Sequence, residues 1–169
     1  MLKALETNGP VIGDSLYCNG ELIAREFAFS IGEIKPITAE IQAMGTLNVP
    51  INGLIEDTTC SITLKGTDAL TQVLTRQERL NLEIRAVQSV IDPAGNEFKV
   101  GIKYFLTVMP LGVAAEENTP GEVTSREYNF QLYSYQKIFN GESQIEFDRF
   151  GNRYITDGKD WAEDYVRLL

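Results

Sequence analysis

Between residues 80 and 108 apolar and polar side chains alternate almost without a break, and this period of two constrains the fold more than any other feature. Leu80, Leu82, Ile84 and Ala86 alternate with Asn81, Glu83, Arg85 and Val87. After the hairpin-turn signal Asp92-Pro93-Ala94-Gly95-Asn96, the return strand places Phe98, Val100, Ile102, Tyr104, Leu106 and Val108 on one face, with Lys99, Gly101, Lys103 and Thr107 opposite. Successive side chains of a strand point to opposite faces, so the pattern demands a mainly β chain with one buried face. Long strands also carry second faces and edges that something must cover. With no catalytic signature in the chain, the expected cover is further copies of itself.

The rest of the chain reads as strands and turns around this hairpin. Residues 1–15, with Gly9-Pro10 and Gly13-Asp14, read as an irregular lead-in. Asn19-Gly20, two residues that tolerate positive φ, separates a short strand at 15–18 from one at 21–31, where Ile23, Phe27, Phe29 and Ile31 share a face broken by Arg25. Over 36–44, Ile37, Ala39, Ile41 and Ala43 alternate with Thr38, Glu40 and Gln42. Residues 45–53 have the glycines, proline and asparagines of a loop, yet Leu47, Val49 and Ile51 alternate within it. A strand at 54–65 follows, with Leu54, Cys60, Ile62 and Leu64 on one side. Together these segments predict a hairpin arm over 36–65, whose apolar tip is a liability unless it docks on a partner.

Gly66-Thr67-Asp68 reads as the cap of one internal helix carrying Ala69, Leu70, Val73 and Leu74 at helical spacing. A polar loop at 114–121 leads to a long strand at 122–139, the turn Asn140-Gly141, strands at 143–147 and 153–156, and a short C-terminal helix. Asp160 is the expected N-cap of that helix, and Trp161, Tyr165, Leu168 and Leu169 form its apolar side. The 169 residues fit one domain over 1–169, long enough to bury a core without staples.

Composition excludes much chemistry. The chain has no histidine, so there is no histidine triad, imidazole acid–base pair or histidine metal ligand. Cys18 and Cys60 cannot make a zinc site alone and are too few for a disulfide framework; they read as two reduced thiols rather than one Cys18–Cys60 bridge. Gly9-Pro-Val-Ile-Gly13 lacks the Lys-Ser/Thr ending of a phosphate loop. Glu116-Glu117 reads as solvated loop, and Asp160, Glu163 and Asp164 as acids that suit a helix N-terminus. Glu40, Glu56, Asp57, Glu83 and Glu146 sit on polar strand faces, with a shared channel lining as the alternative. Tyr128, Phe130, Tyr133 and Tyr135 lack the basic groove of a nucleic-acid stacking platform. The expectation is therefore no catalytic, cofactor or metal residues. A net charge of −9 opposes tight nucleic-acid binding. No stretch approaches the ~20 apolar residues of a membrane helix, and residues 1–6 lack a signal-peptide pattern; synthesis in the cytoplasm is expected.

The layout as a whole resembles a known family. Leu16-Tyr-Cys-Asn-Gly20 leads into a strand, and the arm precedes Ile62-Thr-Leu-Lys-Gly66 and a short helix. A long hairpin follows, and the chain closes on Phe139-Asn-Gly-Glu-Ser-Gln-Ile-Glu-Phe-Asp148, a turn and a terminal helix. This resembles the major tail tube proteins of contractile-tailed bacteriophages and of R-type bacteriocins, over about residues 15–169. The ending is the most specific part: Gly141, Ile145, Glu146, Phe147, Asp148 and Leu169 match the family pattern, whereas Lys159-Asp-Trp-Ala162 stands where members usually carry Asp-Arg-Leu-Ala.

The resemblance implies a β-sandwich or half-barrel of long antiparallel strands with a helix at its side. It implies hexameric rings stacked into a hollow tube within a sheath, nucleated on a baseplate or initiator complex, in a virion or phage-tail-like particle. Leu47, Val49 and Ile51 would then make the inter-ring contact. Trp161, Tyr165, Leu168 and Leu169 would pack the terminal helix or join an interface. DNA would pass the lumen without tight binding, and no membrane or cofactor is involved. Tubes of type VI secretion or extracellular injection systems share this layout. Readings from other classes are a monomeric β-barrel binding module, which the apolar stretch at 45–53 opposes, and a carboxylate-dependent hydrolase.

Overall fold

The structure is a computed structural model and describes residues 6–66, 69–113 and 119–169. The expected cap at Thr67-Asp68, the pair Glu116-Glu117 and the start of the chain through residue 5 lie outside the described residues. The strands are β1 (Thr7–Cys18), β2 (Glu21–Arg25), β3 (Ala28–Ile31), β4 (Pro36–Gln42), β5 (Thr46–Ile55), β6 (Thr59–Lys65), β7 (Leu80–Ile91), β8 (Glu97–Pro110), β9 (Ser125–Phe139), β10 (Glu142–Asp148), β11 (Arg153–Thr156) and β12 (Lys159–Asp160). A 3-10 helix spans Thr71–Thr75, and the helix α1 spans Glu163–Val166.

The alternating hairpin forms as its pattern dictates. β7 and β8 pair antiparallel from Leu80↔Val108 to Ile91↔Glu97. Leu80, Leu82, Ile84, Val100, Leu106 and Val108 are buried, while Asn81, Arg85, Lys99 and Lys103 are exposed. The sheet continues on both sides in the order β12-β11-β10-β9-β8-β7-β1-β2. β9 holds it together: one edge takes β8, and the other is shared, with β6 on residues 125–131 and β10 on residues 134–139.

A corner curls this sheet onto its main core. The sequence predicts one strand at 21–31, but its halves bond to different neighbours, β2 to β1 and β3 to β6. The break is at Glu26, held at φ 56 with its amide donating to Asp14 Oδ1 at 2.8 Å. The corner brings Leu16, Cys18 and Ile23 against Cys60, Ile62 and Leu64, with Tyr128, Phe130 and Leu132 completing the core. Each large apolar side chain buried there contributes about 1.5–3 kcal/mol. A smaller cluster of Ala86, Val90, Val100, Ile102 and Phe139 stiffens the outer half of the β7–β8 hairpin. The expected class, long antiparallel strands in a mainly β fold with little helix, is the one observed.

Four local expectations are corrected. The lead-in at 1–15 is largely strand, since β1 starts at Thr7 and pairs with β7 along its length. Its glycines and proline are absorbed by register shifts between Asn8 and Gly13, the positions where an irregular strand tolerates them. The loop at 45–53 is strand β5, whose Pro50 lies opposite Thr38 in a two-stranded sheet with no further neighbour to miss its N–H. The internal helix shrinks to a single 3-10 turn that buries Thr71 and Leu74 but leaves Leu70 57% exposed. The C-terminal helix is one turn long: Asp160 sits in β12, and the N-cap is Ala162.

Candidate assembly interface

The feature that no intramolecular packing explains is the β4–β5 hairpin. Its strands form their own two-stranded sheet, in the register Gln42↔Thr46, Ile41↔Leu47 and Ala39↔Val49. The sheet ends at residue 55; residues 59–65, expected in the arm, pair with β9 in the main sheet instead. Cross-strand partners share a face, so Ala39, Ile41, Leu47 and Val49 line one side. Thr38, Glu40, Gln42, Thr46 and Asn48 take the other, and Ile37 and Ile51 flank the register shift at the hairpin's base. Among the described residues the apolar side and its base stay partly open: Ile37 is 41%, Ile41 45%, Leu47 49% and Ile51 37% exposed, and Val49 is half-buried. None of residues 36–54 belongs to the buried core. A bare two-stranded hairpin is marginally stable in water, so this one needs a foundation and a partner.

The foundation is built from distant parts of the chain. Arg149, in the turn after β10, donates to the carbonyls of Leu132 at 3.3 Å, of Ile55 at 3.2 Å, and of Glu56. Its guanidinium also lies 5.9 Å from the Phe147 ring centre. One rigid cation thus ties the hairpin base to β9 and β10. The Glu56 amide donates to the Lys35 carbonyl at 2.9 Å, and the same two residues form an exposed ion pair at 3.5 Å. Gly53 permits a close approach: a Cβ there would lie 2.8 Å from both Ala162 Cα and the Trp161 carbonyl oxygen.

That approach joins the hairpin base to the C-terminal segment. The amides of Tyr154 and Ala162 donate to Asp160 Oδ1 at 3.2 and 2.9 Å. Trp161 Nε1 donates to Thr156 Oγ1 at 2.7 Å, with the Lys159 ammonium 4.3 Å from the indole. Tyr165 is half-buried, and its hydroxyl reaches Asn152 Oδ1 at 3.3 Å. The fully buried residue here is Ala162, not the aromatic ones; Trp161 is 37%, Leu168 84% and Leu169 93% exposed. Of the residues predicted to matter, Leu47 and Val49 share a face of the hairpin with Ala39 and Ile41, while the side chains of Trp161 and Tyr165 bond to Thr156 and Asn152 and the Trp161 backbone lies beside Gly53. Arg149, Gly53 and Ala162 escaped sequence reading because their roles depend on contacts between residues about a hundred positions apart.

Several of the described acidic residues have polar partners. Glu83 pairs with Arg85 at 2.6 Å, Glu146 with Arg153 at 3.4 Å, and Asp57 accepts a bond from Gln131. Glu83, Glu146 and Asp148 do border a concavity of about 530 Å³, whose lining mixes polar residues such as Asn81 and Gln136 with Phe105 and Phe147. Among the described residues no three carboxylates or thiols gather to hold a metal ion. Cys18 and Cys60 are free and buried, and burial pushes the Cys60 thiol up to about 12. No helix among the described residues is long and apolar enough to cross a membrane.

Comparison with known proteins agrees with this geometry. The family model of phage tail tube protein FII matches residues 12–169. A chain in the cryo-EM structure of an extracellular contractile injection system, the PVC sheath-tube complex in its extended state, has a similar fold. The two share 14% identity with a TM-score of 0.52, over 77% of this chain and 90% of that one. No curated protein sequence matches the chain.

Proposed function

The chain belongs to the phage tail tube protein FII family, and from that premise we propose that it is the repeating structural subunit of a contractile tail's inner tube, without enzymatic activity. The observation that carries the reading is the anchored hairpin with its partly open apolar face. A monomer gains nothing by holding four large aliphatic side chains in water; a subunit that buries them on the next copy gains association energy. Head-to-tail contacts between different surfaces of one chain generate rings or open stacks, and a tube needs both. In this reading six copies close a ring, and the hairpin reaches the adjacent ring through Leu47, Val49 and Ile51. The C-terminal segment around Trp161, Tyr165, Leu168 and Leu169 braces the arm or joins the interface. A sheath surrounds the tube, a baseplate or initiator complex nucleates it, and the acidic subunits let DNA pass without capture.

A tube from an injection system that carries protein cargo is the second reading, supported by the kind of particle to which the similar chain belongs. Nuclease-resistant DNA in purified particles separates a virion from such a device. The primary test is negative-stain electron microscopy of the purified protein, with light scattering at rising concentration and with baseplate complex added. Hollow tubes of uniform diameter are expected. A persistent 18.9 kDa monomer in the presence of the nucleating complex contradicts the proposal.

A further inference from the structure

The β4–β5 hairpin is a lever, and fixing its direction takes two points. Among the described residues its strands pair only with each other, and none of residues 36–54 enters the core. The first point is at Ile55 and Glu56, whose carbonyls accept from Arg149. A rod held at one point keeps its freedom to turn. The second point is Gly53, which passes the C-terminal segment so closely that a Cβ would lie 2.8 Å from Ala162 Cα and from the Trp161 carbonyl oxygen. At about 3.3 Å per residue, Gly53 stands about 7 Å from Ile55, and Thr46 about 30 Å from it. About 1 Å of play at Gly53 therefore becomes about 4 Å at the tip.

One side chain holds the wall that Gly53 meets. Asp160 Oδ1 accepts the Ala162 amide at 2.9 Å and the Tyr154 amide at 3.2 Å, while the Trp161 amide donates to the Tyr154 carbonyl at 2.8 Å. The Ala162 side chain is fully buried, and its carbonyl accepts from the Val166 amide at 3.1 Å. β12 is only two residues long, so its ladder alone holds this segment weakly. The contact at Gly53 is made by backbone atoms, which no change of rotamer can withdraw. Whatever fixes the turn at Asp160 therefore fixes the lever.

We propose that Asp160 is the positioning residue of the arm: through the Trp161–Ala162 peptide and Gly53, its carboxylate sets the direction in which residues 36–55 leave the subunit. It acts on assembly by presenting the arm at one angle. That consequence rests on the tube reading, whereas the positioning is a property of the single subunit.

Asp160→Ala and Asp160→Asn test the proposal in the dispersed subunit. Spin labels on Thr46→Cys and Lys99→Cys, both exposed positions, report the distance between the arm and the main sheet; the native thiols Cys18 and Cys60 are buried and do not compete. Ala removes the acceptor, whereas Asn keeps its Oδ1. A narrow distance distribution is expected in the labelled parent and in Asp160→Asn. In Asp160→Ala a distribution about 4 Å broader is expected, with amide exchange in β7 and β8 unchanged in all three proteins. An unmoved distribution in Asp160→Ala would overturn the inference. Equal broadening in Asp160→Asn, or lost protection in β7 and β8, would overturn it too, the latter as the mark of general destabilisation. Asp160→Ala is also expected to raise the critical concentration for tubes at least tenfold, and a normal value would count equally against it. Failure of the wild type to form tubes on its nucleating complex would remove the tube reading and leave the positioning result standing.

Discussion

Replacing Leu47, Val49 and Ile51 together with Ser separates folding from assembly, and the structure sets the size of both effects. Full burial of such a side chain contributes about 1.5–3 kcal/mol. In the subunit Leu47 keeps 49% of its surface exposed and Ile51 37%, with Val49 half-buried. Covering what remains yields about 0.6–1.3 kcal/mol per residue, or about 2–4 kcal/mol per arm. Losing that term weakens each contact about 30- to 800-fold. The subunit is affected far less, because none of the three positions touches the core and substitutions outside a core typically act within about 0.5 kcal/mol each. Sedimentation of the assembled fraction against concentration measures the first effect, and thermal melting of the dispersed subunit the second. The expected result is a critical concentration raised at least thirtyfold, with a melting temperature within about 6 °C of wild type. Tubes of normal length at an unchanged critical concentration would refute the assignment of this face to assembly.

Arg149→Met removes the bonds to the carbonyls of Leu132, Ile55 and Glu56, where hydrogen bonds from a charged donor are worth about 1.5–3 kcal/mol each before water replaces some of them. Urea unfolding is expected to show a loss of about 2–4 kcal/mol, and amide exchange at 36–55 to accelerate more than in the core. Gly53→Ala places a Cβ 2.8 Å from Ala162 and forces a side chain onto φ 82, so the C-terminal segment must shift; emission from Trp161, the single tryptophan, is expected to move to the red. The buried thiols of Cys18 and Cys60 are expected to resist a disulfide reagent at pH 8 in the folded subunit and to react fully in guanidinium. Because burial raises both thiols above the ordinary value of 9.0, the folded state holds protons that the unfolded chain releases. Their contribution to stability is therefore complete below about pH 9 and falls as the pH climbs toward the Cys60 value of about 12, which pH-dependent urea titrations measure.

How far the sequence reveals this fold depends on where each element's stabilising partners lie. β7 and β8 were legible residue by residue because alternation and the Asp92–Asn96 turn are both local. β6 was legible for the same reason, with Cys60, Ile62 and Leu64 all buried as their spacing requires. β1 and β5 were hidden by Gly9, Pro10 and Pro50, which signal loops until bulges and a free edge accommodate them. The split at Glu26 was illegible because glutamate carries no preference for a left-handed corner; the tertiary bond its amide donates to the Asp14 carboxylate holds it there. Over 46–55 the alternation of Leu47, Val49 and Ile51 is a strand signal that the loop-like composition masks. Asp160 misled because a carboxylate that bonds the amides of Tyr154 and Ala162 from a strand resembles a helix cap in one dimension.

The most direct test of an arm buried between copies is hydrogen–deuterium exchange of the dispersed subunit against the assembled tube, resolved by peptide. The account predicts that exchange in 36–55 is fast in the dispersed subunit and slows at least tenfold on assembly, with the β7–β8 core equally protected in both. Unchanged exchange in 36–55, with new protection elsewhere, would contradict it.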